Sequence, residues 1–242
     1  MNSKGSTVLI TGGSRGIGKA TVDLFKEQGW TVATCSSHKE GLKNSLADFT
    51  FECDVTQVQS IQREISKLIQ KIGKIDALVN NAGLSGENPM GPQSSDDLWH
   101  RIIDVNLNGT YYGCKYAAPY LPDGTGRIIN IASVLALRGV PDAIAYCSAK
   151  HGVLGLTRAL SHWLAPRKIT VNAICPGWVR TQMAEDRMKE IGIQETDLKK
   201  SIPLGRLIEP AEVAELIYSL ASSSATGMMT GQALILDGGA TS

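Results

Sequence analysis

Short apolar runs alternate with longer amphipathic segments along almost the whole chain. The apolar runs are typical of buried strands, and they predict strands at 7–11, 31–35, 50–53, 76–80, 127–131, 169–174 and 233–236. The amphipathic segments predict helices at 17–28, 57–72, 96–119, 145–164 and 210–221. Alternation of this kind indicates an α/β fold, with a doubly wound parallel sheet covered by helices on both faces.

One segment interrupts the alternation. Residues 176–206 are rich in charge and methionine, and they contain the breaks Pro176-Gly177 and Pro203. A connection of this length is uncommon inside a compact domain and usually has a function. We therefore expect a substrate lid at about 178–206, on a single domain spanning residues 1–242.

Length, composition and charge narrow the functional class. The 242 residues suffice for one α/β domain, and the net charge of +1 favours neither nucleic acid nor an acidic membrane. No apolar run approaches the roughly 20 residues of a membrane span, and no signal peptide is recognisable. Five scattered cysteines without a Cys-x-x-Cys pair indicate reduced thiols. We expect a cytoplasmic protein without a metal site.

A glycine-rich turn follows the first predicted strand. The stretch TGGSRGIG places Gly12, Gly16 and Gly18 between that strand and the first helix. Such a turn lets backbone N–H groups approach a pyrophosphate, which the positive end of the helix then faces. Glycines also serve ordinary tight turns, but this position favours a Rossmann-like dinucleotide-binding domain.

The end of the second strand bears on which dinucleotide binds. An acidic residue there would bind the ribose hydroxyls of NAD, but this chain has Ser36, Ser37 and His38, with no acid before Glu40. Arg15, in the glycine-rich turn, adds a cation. Hydroxyls and cations suit a 2′-phosphate, so NADP(H) is favoured and NAD(H) is the alternative.

Tyr146 and Lys150 lie four residues apart in the predicted helix 145–164. This spacing stacks the two side chains on one helical face. An ammonium group beside a phenol is expected to lower the phenol pKa and prepare it for proton transfer. An isolated pair of this kind is usually an ordinary surface contact, so its interpretation depends on the rest of the chain.

The chain resembles the short-chain dehydrogenase/reductase family, particularly its 3-oxoacyl-thioester reductases and polyketide-type ketoreductases. The resemblance covers nearly the whole chain. Beyond the glycine-rich turn, Ser133 and the Tyr146–Lys150 pair, it includes the following segments in order: CDV (53–55), NNAG (80–83), DVNLNGTYYG (104–113), GRIINIAS (126–133), ITVNAICPGWVRTQM (169–183), IPLGR (202–206) and TGQALILDGG (230–239).

The resemblance implies a catalytic tetrad of Asn106, Ser133, Tyr146 and Lys150. Tyr146 would be the general acid, and Ser133 would hydrogen-bond the substrate oxygen. Lys150 would assist Tyr146 and hold the nicotinamide ribose, while Asn106 would bend its helix and hold a water linked to Lys150. Asn106 can also be a helix-surface amide, and Ser133 a turn cap.

The resemblance also implies a set of cofactor contacts. Asp54 and Val55 would meet the adenine ring, and the segments 80–83 and 176–181 would line the ribose, phosphate and nicotinamide. The complete implied set is Gly12, Ser14, Arg15, Gly16, Ile17, Gly18, Ser36, Ser37, His38, Asp54, Val55, Asn80, Ala82, Gly83, Tyr146, Lys150, Pro176, Gly177, Val179 and Thr181. Asn80 can also be chiefly structural.

Candidate substrate-pocket residues are apolar and come from loops beyond the carboxyl ends of strands: Leu84, Val134, Leu135, Trp178 and Met183. They suit an acyl chain or an aromatic ketone, although each can also be ordinary packing. Reductases that act on acyl carrier protein are expected to carry cations just before the GRII strand. Here Asp123 stands in that segment, which argues against a carrier protein, and Arg167-Lys168 remains a possible second patch.

The sequence therefore predicts an NADPH-dependent carbonyl reductase that converts a ketone, such as a 3-oxoacyl thioester, to a secondary alcohol. One alternative is an NAD(P)+-dependent secondary-alcohol dehydrogenase that runs the reverse reaction. Another is a non-catalytic nucleotide-binding regulator, which would be expected to lack the tyrosine or the lysine. By the same resemblance, the helices 96–119 and 145–164 and the last strand suggest a homotetramer.

Overall fold

The computed structural model describes residues 5–242, which contain one parallel seven-stranded sheet. The strands are β1 (Thr7–Thr11), β2 (Thr31–Ser36), β3 (Phe49–Glu52), β4 (Ala77–Asn80), β5 (Arg127–Ile131), β6 (Thr170–Pro176) and β7 (Ala233–Leu236). Their order is β3-β2-β1-β4-β5-β6-β7. The order reverses direction between β1 and β4, and an open α/β sheet forms its ligand cleft at this point. The predicted Rossmann-like sheet is confirmed, with strand ends shifted by at most two residues.

Helices cover both faces of the sheet. They are α1 (Gly16–Glu27), α2 (Val58–Ile72), α3 (Asp96–Ile103), α4 (Gly109–Ala117), α5 (Ile144–Leu164), α6 (Gln182–Glu190), α7 (Glu195–Lys200) and α8 (Pro210–Ser222). α8 begins with a capping box, in which Glu209 and Glu212 bond each other's backbone N–H groups. Successive residues of β1 enter opposite cores: Leu9 packs in the core that contains α2, and Val8 and Ile10 pack in the core that contains α1 and α8.

The predicted helix 96–119 is wrong as a single element. A π-helical turn at Asp104–Asn108 separates α3 from α4, and α4 ends before a 3₁₀ turn that contains Pro119. The Asn106 side chain explains the first break, because its Nδ2 donates to the Ile102 carbonyl of its own helix at 2.9 Å and to the Leu84 carbonyl at 2.7 Å. A side chain that takes part in the ladder produces the local widening of a π turn.

The predicted lid contains two helices, α6 and α7, so its charged residues lie on folded elements. Its inner side forms a small apolar cluster of Met188, Leu198, Ile202 and Leu207 with Trp178. On the exposed side of this segment, the Arg180 guanidinium donates to both carboxylate oxygens of Glu195, each at 3.0 Å. Movement of this segment as a lid stays a prediction.

The structure also bears on membrane insertion, metal binding and disulfide formation. No helix within residues 5–242 has both the length and the apolar character that crossing a bilayer requires. Across the same residues, no group of three or more His, Cys, Asp or Glu side chains is arranged to hold a metal ion. All five cysteines are free and buried.

Candidate active site

The glycine-rich turn forms a cradle whose Gly12 and Gly18 positions have no room for a side chain. Gly12 has a φ of +71°, and a Cβ placed on it would lie 2.8 Å from the Ala82 Cα. A Cβ on Gly18 would lie 2.2 Å from the Gly12 carbonyl oxygen, well inside contact distance. The turn therefore needs glycine for close backbone packing at the start of α1, where the helix offers its positive end to an anion.

Thr11 and Asn81 connect this cradle to the end of β4, and neither residue was predicted from the sequence to have this role. The Thr11 hydroxyl accepts from the backbone N–H groups of Asn81 at 3.0 Å and Ala82 at 3.1 Å. The Asn81 amide donates to the carbonyls of Thr11 and Gly12, each at 3.0 Å. A hydroxyl at the end of β1 and an amide in the NNAG segment were the available signals. They fix the two sides of the cleft to each other.

The end of β2 lies against the cradle. The Cys35 carbonyl accepts from Gly12 N at 2.8 Å and Gly13 N at 3.2 Å. After it, Ser36 is half-buried, whereas Ser37, His38 and Arg15 are exposed. A Cβ on Gly41 would lie 2.9 Å from the Ser14 Cβ, so the turn after Ser36 packs beside the glycine-rich turn. The residues predicted to select a 2′-phosphate are thus near one another.

Glu40, the nearest acid in the chain after Ser36, has a partner of its own. Its carboxylate lies 2.6 Å from the Lys43 Nζ on the surface. The exposed Ser37 hydroxyl is 2.9 Å from the Nδ1 of His38. This end of the cleft is accordingly polar and solvated.

Asp54 lies just beyond the end of β3, as predicted for an adenine contact, but its carboxylate already has partners. It accepts from the Thr56 N–H at 3.0 Å, the Thr56 hydroxyl at 2.9 Å and Arg101 Nη1 at 3.1 Å. Burial alone would raise the pKa of Asp54, but these hydrogen bonds and the Arg101 charge outweigh it and hold the pKa below its usual value. Val55 is buried and packs closely on Gly109.

The Asn80 side chain has partners in the interior of the domain, which agrees with the structural alternative, and its predicted place along the cofactor path stays a prediction. The amide is buried and donates to Asn130 Oδ1 at 2.8 Å and to the Cys114 sulfur at 3.2 Å. Asn130 in turn donates to the Thr157 hydroxyl at 2.9 Å. This interior polar chain joins β4 and β5 to α4 and α5, and it lies beneath the cleft.

Gly83, Gly177 and Thr181 border the cleft on its other sides. A Cβ on Gly83 would lie 3.1 Å from Asn106 Oδ1 and 3.8 Å from Lys150 Nζ. The Thr181 methyl would lie 3.1 Å from a Cβ on Gly16, so the β6–α6 connection meets the glycine-rich turn. Gly177 follows Pro176 and packs on Asp237, while Val179 is buried. The predicted nicotinamide segment therefore faces the cradle.

Tyr146 and Lys150 share one face of the first turns of α5, as the spacing predicts. Lys150 is buried, and its Nζ donates to the carbonyl of Ile131, the last residue of β5, at 2.8 Å. The same Nζ lies 5.5 Å from the centre of the Tyr146 ring. Tyr146 keeps some exposure through the cleft and packs in a small apolar cluster with Leu84. The pair thus lies at the carboxyl edge of the sheet.

The pKa of Tyr146 differs from the sequence expectation. Burial by surrounding side chains raises it to about 12, although hydrogen bonding to the Ser133 side chain acts in the opposite direction. Lys150 does not lower it here, because its Nζ approaches the ring and is committed to Ile131. Burial lowers the pKa of Lys150 to about 8. At neutral pH the phenol therefore retains its proton, and Lys150 titrates close to neutrality.

Ser133 and Asn106 are the other two members of the predicted catalytic tetrad. Ser133 caps the 3₁₀ turn Val134–Ala136 by accepting from Leu135 N at 3.1 Å, and its side chain also reaches Tyr146. The cap interpretation and the catalytic interpretation are therefore compatible. Asn106 is fully buried in the π turn, so it is not a surface amide. Its own carbonyl accepts from the Thr110 hydroxyl at 2.8 Å.

The predicted substrate-pocket residues lie in two different parts of the domain. Leu84 lies in the apolar cluster with Tyr146, and Val134 and Leu135 follow Ser133 directly. Trp178 packs into the apolar cluster of the predicted lid, and Met183 is half-buried in the first turn of α6. The first three thus lie on the core of the domain, and the last two lie on the predicted lid segment.

The chain is similar to known proteins over nearly its full length. Residues 12–241 match the family described as enoyl-(acyl carrier protein) reductase. The chain is 37% identical to the 3-oxoacyl-[acyl-carrier-protein] reductase FabG of Thermotoga maritima, with 99% of each protein covered. A structure of an actinorhodin polyketide ketoreductase variant with NADPH aligns with a TM-score of 0.91 and 33% identity, covering 99% of this chain and 98% of that one. The ligand-free aldohexose dehydrogenase of Thermoplasma acidophilum aligns with a TM-score of 0.90 and 33% identity, covering 98% and 94%.

Proposed function

The chain belongs to the short-chain dehydrogenase/reductase family and is an NAD(P)-dependent oxidoreductase, and we propose that it reduces a ketone to a secondary alcohol with NADPH. The observation that carries the proposal is the position of Tyr146. It retains its proton beside Ser133 and Lys150, at the edge of the sheet where the glycine-rich turn lies. A protonated acid is the state that ketone reduction requires.

The residues present fit a bound dinucleotide. The Gly12 and Gly13 N–H groups bond the Cys35 carbonyl, so the N–H groups that could face a pyrophosphate are those of the first turn of α1, which begins at Gly16. Gly83, Pro176, Gly177 and Thr181 would hold the half of the molecule nearer to Lys150. When bound, NADPH supplies the hydride for the reduction.

Preference for NADPH rests on the end of β2. A 2′-phosphate there would meet the hydroxyls of Ser36 and Ser37, the His38 ring and the Arg15 guanidinium. Arg15 has no acid within ion-pair distance among the described residues. Glu40 is paired with Lys43, so its charge is partly compensated. Hydrogen-bond donors and cations favour the phosphate, whereas NAD binding usually uses an acid at this position.

Tyr146 is the proposed general acid. An alkoxide is far more basic than a phenolate, so a phenol whose pKa is raised to about 12 still transfers its proton readily to a developing alkoxide. The reverse reaction would need a phenolate base, and burial disfavours that anion. The raised pKa therefore supports reduction at neutral pH.

The neighbouring groups would support this transfer. The Ser133 hydroxyl would hydrogen-bond the substrate oxygen as its negative charge develops. Lys150, with a pKa of about 8, can exchange protons near neutrality and would return one toward Tyr146. Asn106 Oδ1 lies on the same side of the cleft as the Lys150 Nζ, near Gly83, and would orient that relay.

The proposed substrate is a free ketone or a small acyl thioester rather than a carrier-bound acyl group. Arg167, one residue of the predicted second basic patch, is used within the domain. Its guanidinium lies 2.7 Å from Asp123 Oδ1 and donates to the carbonyls of Ala118, at 2.7 Å, and Leu121, at 2.5 Å. An arginine with these partners contributes little free charge to an acidic carrier.

Oxidation of a secondary alcohol with NAD(P)+ is the second candidate. The similarity to an aldohexose dehydrogenase favours it, because the same fold with comparable identity carries that name. A non-catalytic regulator is disfavoured, because both Tyr146 and Lys150 are present and adjacent.

A substrate panel distinguishes these functions. Acetoacetyl-CoA, a carrier-linked 3-oxoacyl group, an aryl ketone and secondary alcohols would each be incubated with NADPH, NADH and their oxidised forms, while nicotinamide absorbance is followed. We expect the highest kcat/KM for a ketone with NADPH. Turnover of the alcohols alone, or a strong preference for the carrier-linked substrate, would contradict the proposal.

A further inference from the structure

An ion pair joins α3 to the end of β3. Arg101, in the last turn of α3, places Nη1 3.1 Å from Asp54 Oδ2 and 3.4 Å from the Thr56 hydroxyl. The two partners lie 47 positions apart in the chain; Arg101 is exposed and Asp54 is half-buried. No sequence pattern indicated a role for Arg101.

With these contacts the Asp54 carboxylate can still accept one further hydrogen bond. Oδ1 accepts two hydrogen bonds from Thr56, at 3.0 Å and 2.9 Å, whereas Oδ2 accepts the bond from Arg101. A carboxylate accepts about four hydrogen bonds in total, so Oδ2 can take one more. Arg101 and Thr56 together fix the rotation of the group and hence the direction of that remaining position.

The position of Asp54 suggests what donates there. β3 and β2 lie on the β1 side of the point where the strand order reverses, and their carboxyl ends flank the glycine-rich turn. A dinucleotide that begins at this turn extends its adenosine half over those strand ends. An ionised carboxylate only accepts hydrogen bonds, so it matches the 6-amino group of adenine and opposes the 6-oxygen of hypoxanthine.

We propose that Arg101 is a positioning residue for base recognition, which holds the Asp54 carboxylate so that the site selects a coenzyme with a 6-amino purine. The inference rests on the proposed binding of NADPH. The inference adds that an ion pair between α3 and the end of β3 determines which base the site selects.

The test measures dissociation constants for NADPH and for reduced nicotinamide hypoxanthine dinucleotide phosphate by calorimetry. The two coenzymes carry the same charge, so a general loss of positive charge affects both equally. We expect the wild-type protein to bind NADPH at least about tenfold more tightly, because a group built for a donor rejects an acceptor. Arg101→Ala should reduce this ratio by about threefold to tenfold.

A matched control and a double variant locate the effect. Arg63 is an exposed arginine on α2 whose partner is Glu64, so Arg63→Ala should leave the ratio unchanged. In an Asp54→Ala background the ratio should already be low, and adding Arg101→Ala should change it by less than about twofold. Thermal unfolding would confirm that each variant is folded.

The outcomes separate the two proposals. Failure of the wild-type protein to bind either coenzyme would overturn the proposed function itself. Normal binding of NADPH with an unchanged ratio in Arg101→Ala, or an equal loss for both coenzymes, would overturn only the role of Arg101. The role of Arg101 would also be overturned if Arg101→Ala reduced the ratio of the two dissociation constants equally in the wild-type and the Asp54→Ala backgrounds.

Discussion

The two ends of the cleft are built differently. The proposed proton-donating end, formed by Asn106, Ser133, Tyr146 and Lys150, is largely buried and is held by contacts to strands and helices. The proposed coenzyme-selecting end, formed by Arg15, Ser36, Ser37 and His38, lies on turns and is mostly exposed. Burial sets the pKa values at the first end, whereas solvated charge and hydroxyls act at the second. We therefore expect each end to be alterable without the other.

Tyr146→Phe should give the largest effect, and this effect should be confined to the chemical step. Loss of the proton donor is expected to lower kcat by about 10²- to 10⁴-fold. The dissociation constant for NADPH should change by less than about twofold. Steady-state kinetics and calorimetry measure the two quantities, and a variant that kept its turnover would remove Tyr146 from the role of general acid.

Gly18→Ala should disturb the coenzyme side and the fold together. The added Cβ would lie 2.2 Å from the Gly12 carbonyl oxygen, so the glycine-rich turn must move. We expect NADPH affinity to fall at least about tenfold and the free energy of unfolding to fall by about 1–3 kcal/mol. Gly155→Ala is a suitable control, since a Cβ there meets no atom within 4 Å. Equal behaviour of the two variants would argue against the tight cradle.

Ser36→Asp should alter selection alone. A carboxylate at the end of β2 repels a 2′-phosphate and accepts from ribose hydroxyls, so the preference should shift toward NADH by about tenfold or more. Ser36→Asn keeps a similar size without the charge and should shift it much less. The ratio of kcat/KM values for NADPH and NADH measures the effect. An unchanged ratio in Ser36→Asp would place the 2′-phosphate site elsewhere.

The pH dependence should report the buried lysine. Burial lowers the Lys150 pKa to about 8, so the ammonium is present below that pH and is lost above it. The kcat/KM for NADPH, which reports the free enzyme, should be level below pH 8 and fall about tenfold per unit well above it. Lys150→Arg stays charged, so any activity that it retains should lack this decline. A decline shared by both proteins would point to another group.

Sequence patterns predicted the frame of the molecule well. The strands, the helices outside 96–119 and 176–206, and the glycine-rich turn follow from local hydrophobic periodicity and from glycine positions, whereas α6 and α7 were not predicted. Tyr146 and Lys150 follow from a helical spacing of four, which the structure reproduces. Such features depend on residues close together in the chain.

Features that depend on distant contacts did not follow from local patterns; the bend at Asn106 was expected only from the family resemblance, and the structural role of Asn80 only as an alternative. The π turn results from Asn106 reaching Leu84, the interior role of Asn80 depends on Asn130, and Arg167 is occupied by Asp123. The raised pKa of Tyr146 depends on how completely other elements bury it. Each of these requires the tertiary structure, because the partners are separated by at least 22 positions in the chain.

The central claim is that the Tyr146 phenol, beside Ser133 and Lys150, protonates a ketone oxygen while NADPH is bound in the same cleft. A crystal structure of the protein soaked with NADPH tests this most directly. The account predicts the nicotinamide beside the Tyr146 hydroxyl, with its ribose next to Lys150 and its pyrophosphate on the Gly12–Gly18 turn. A nicotinamide bound elsewhere, or a phenol that points away from it, would contradict the account.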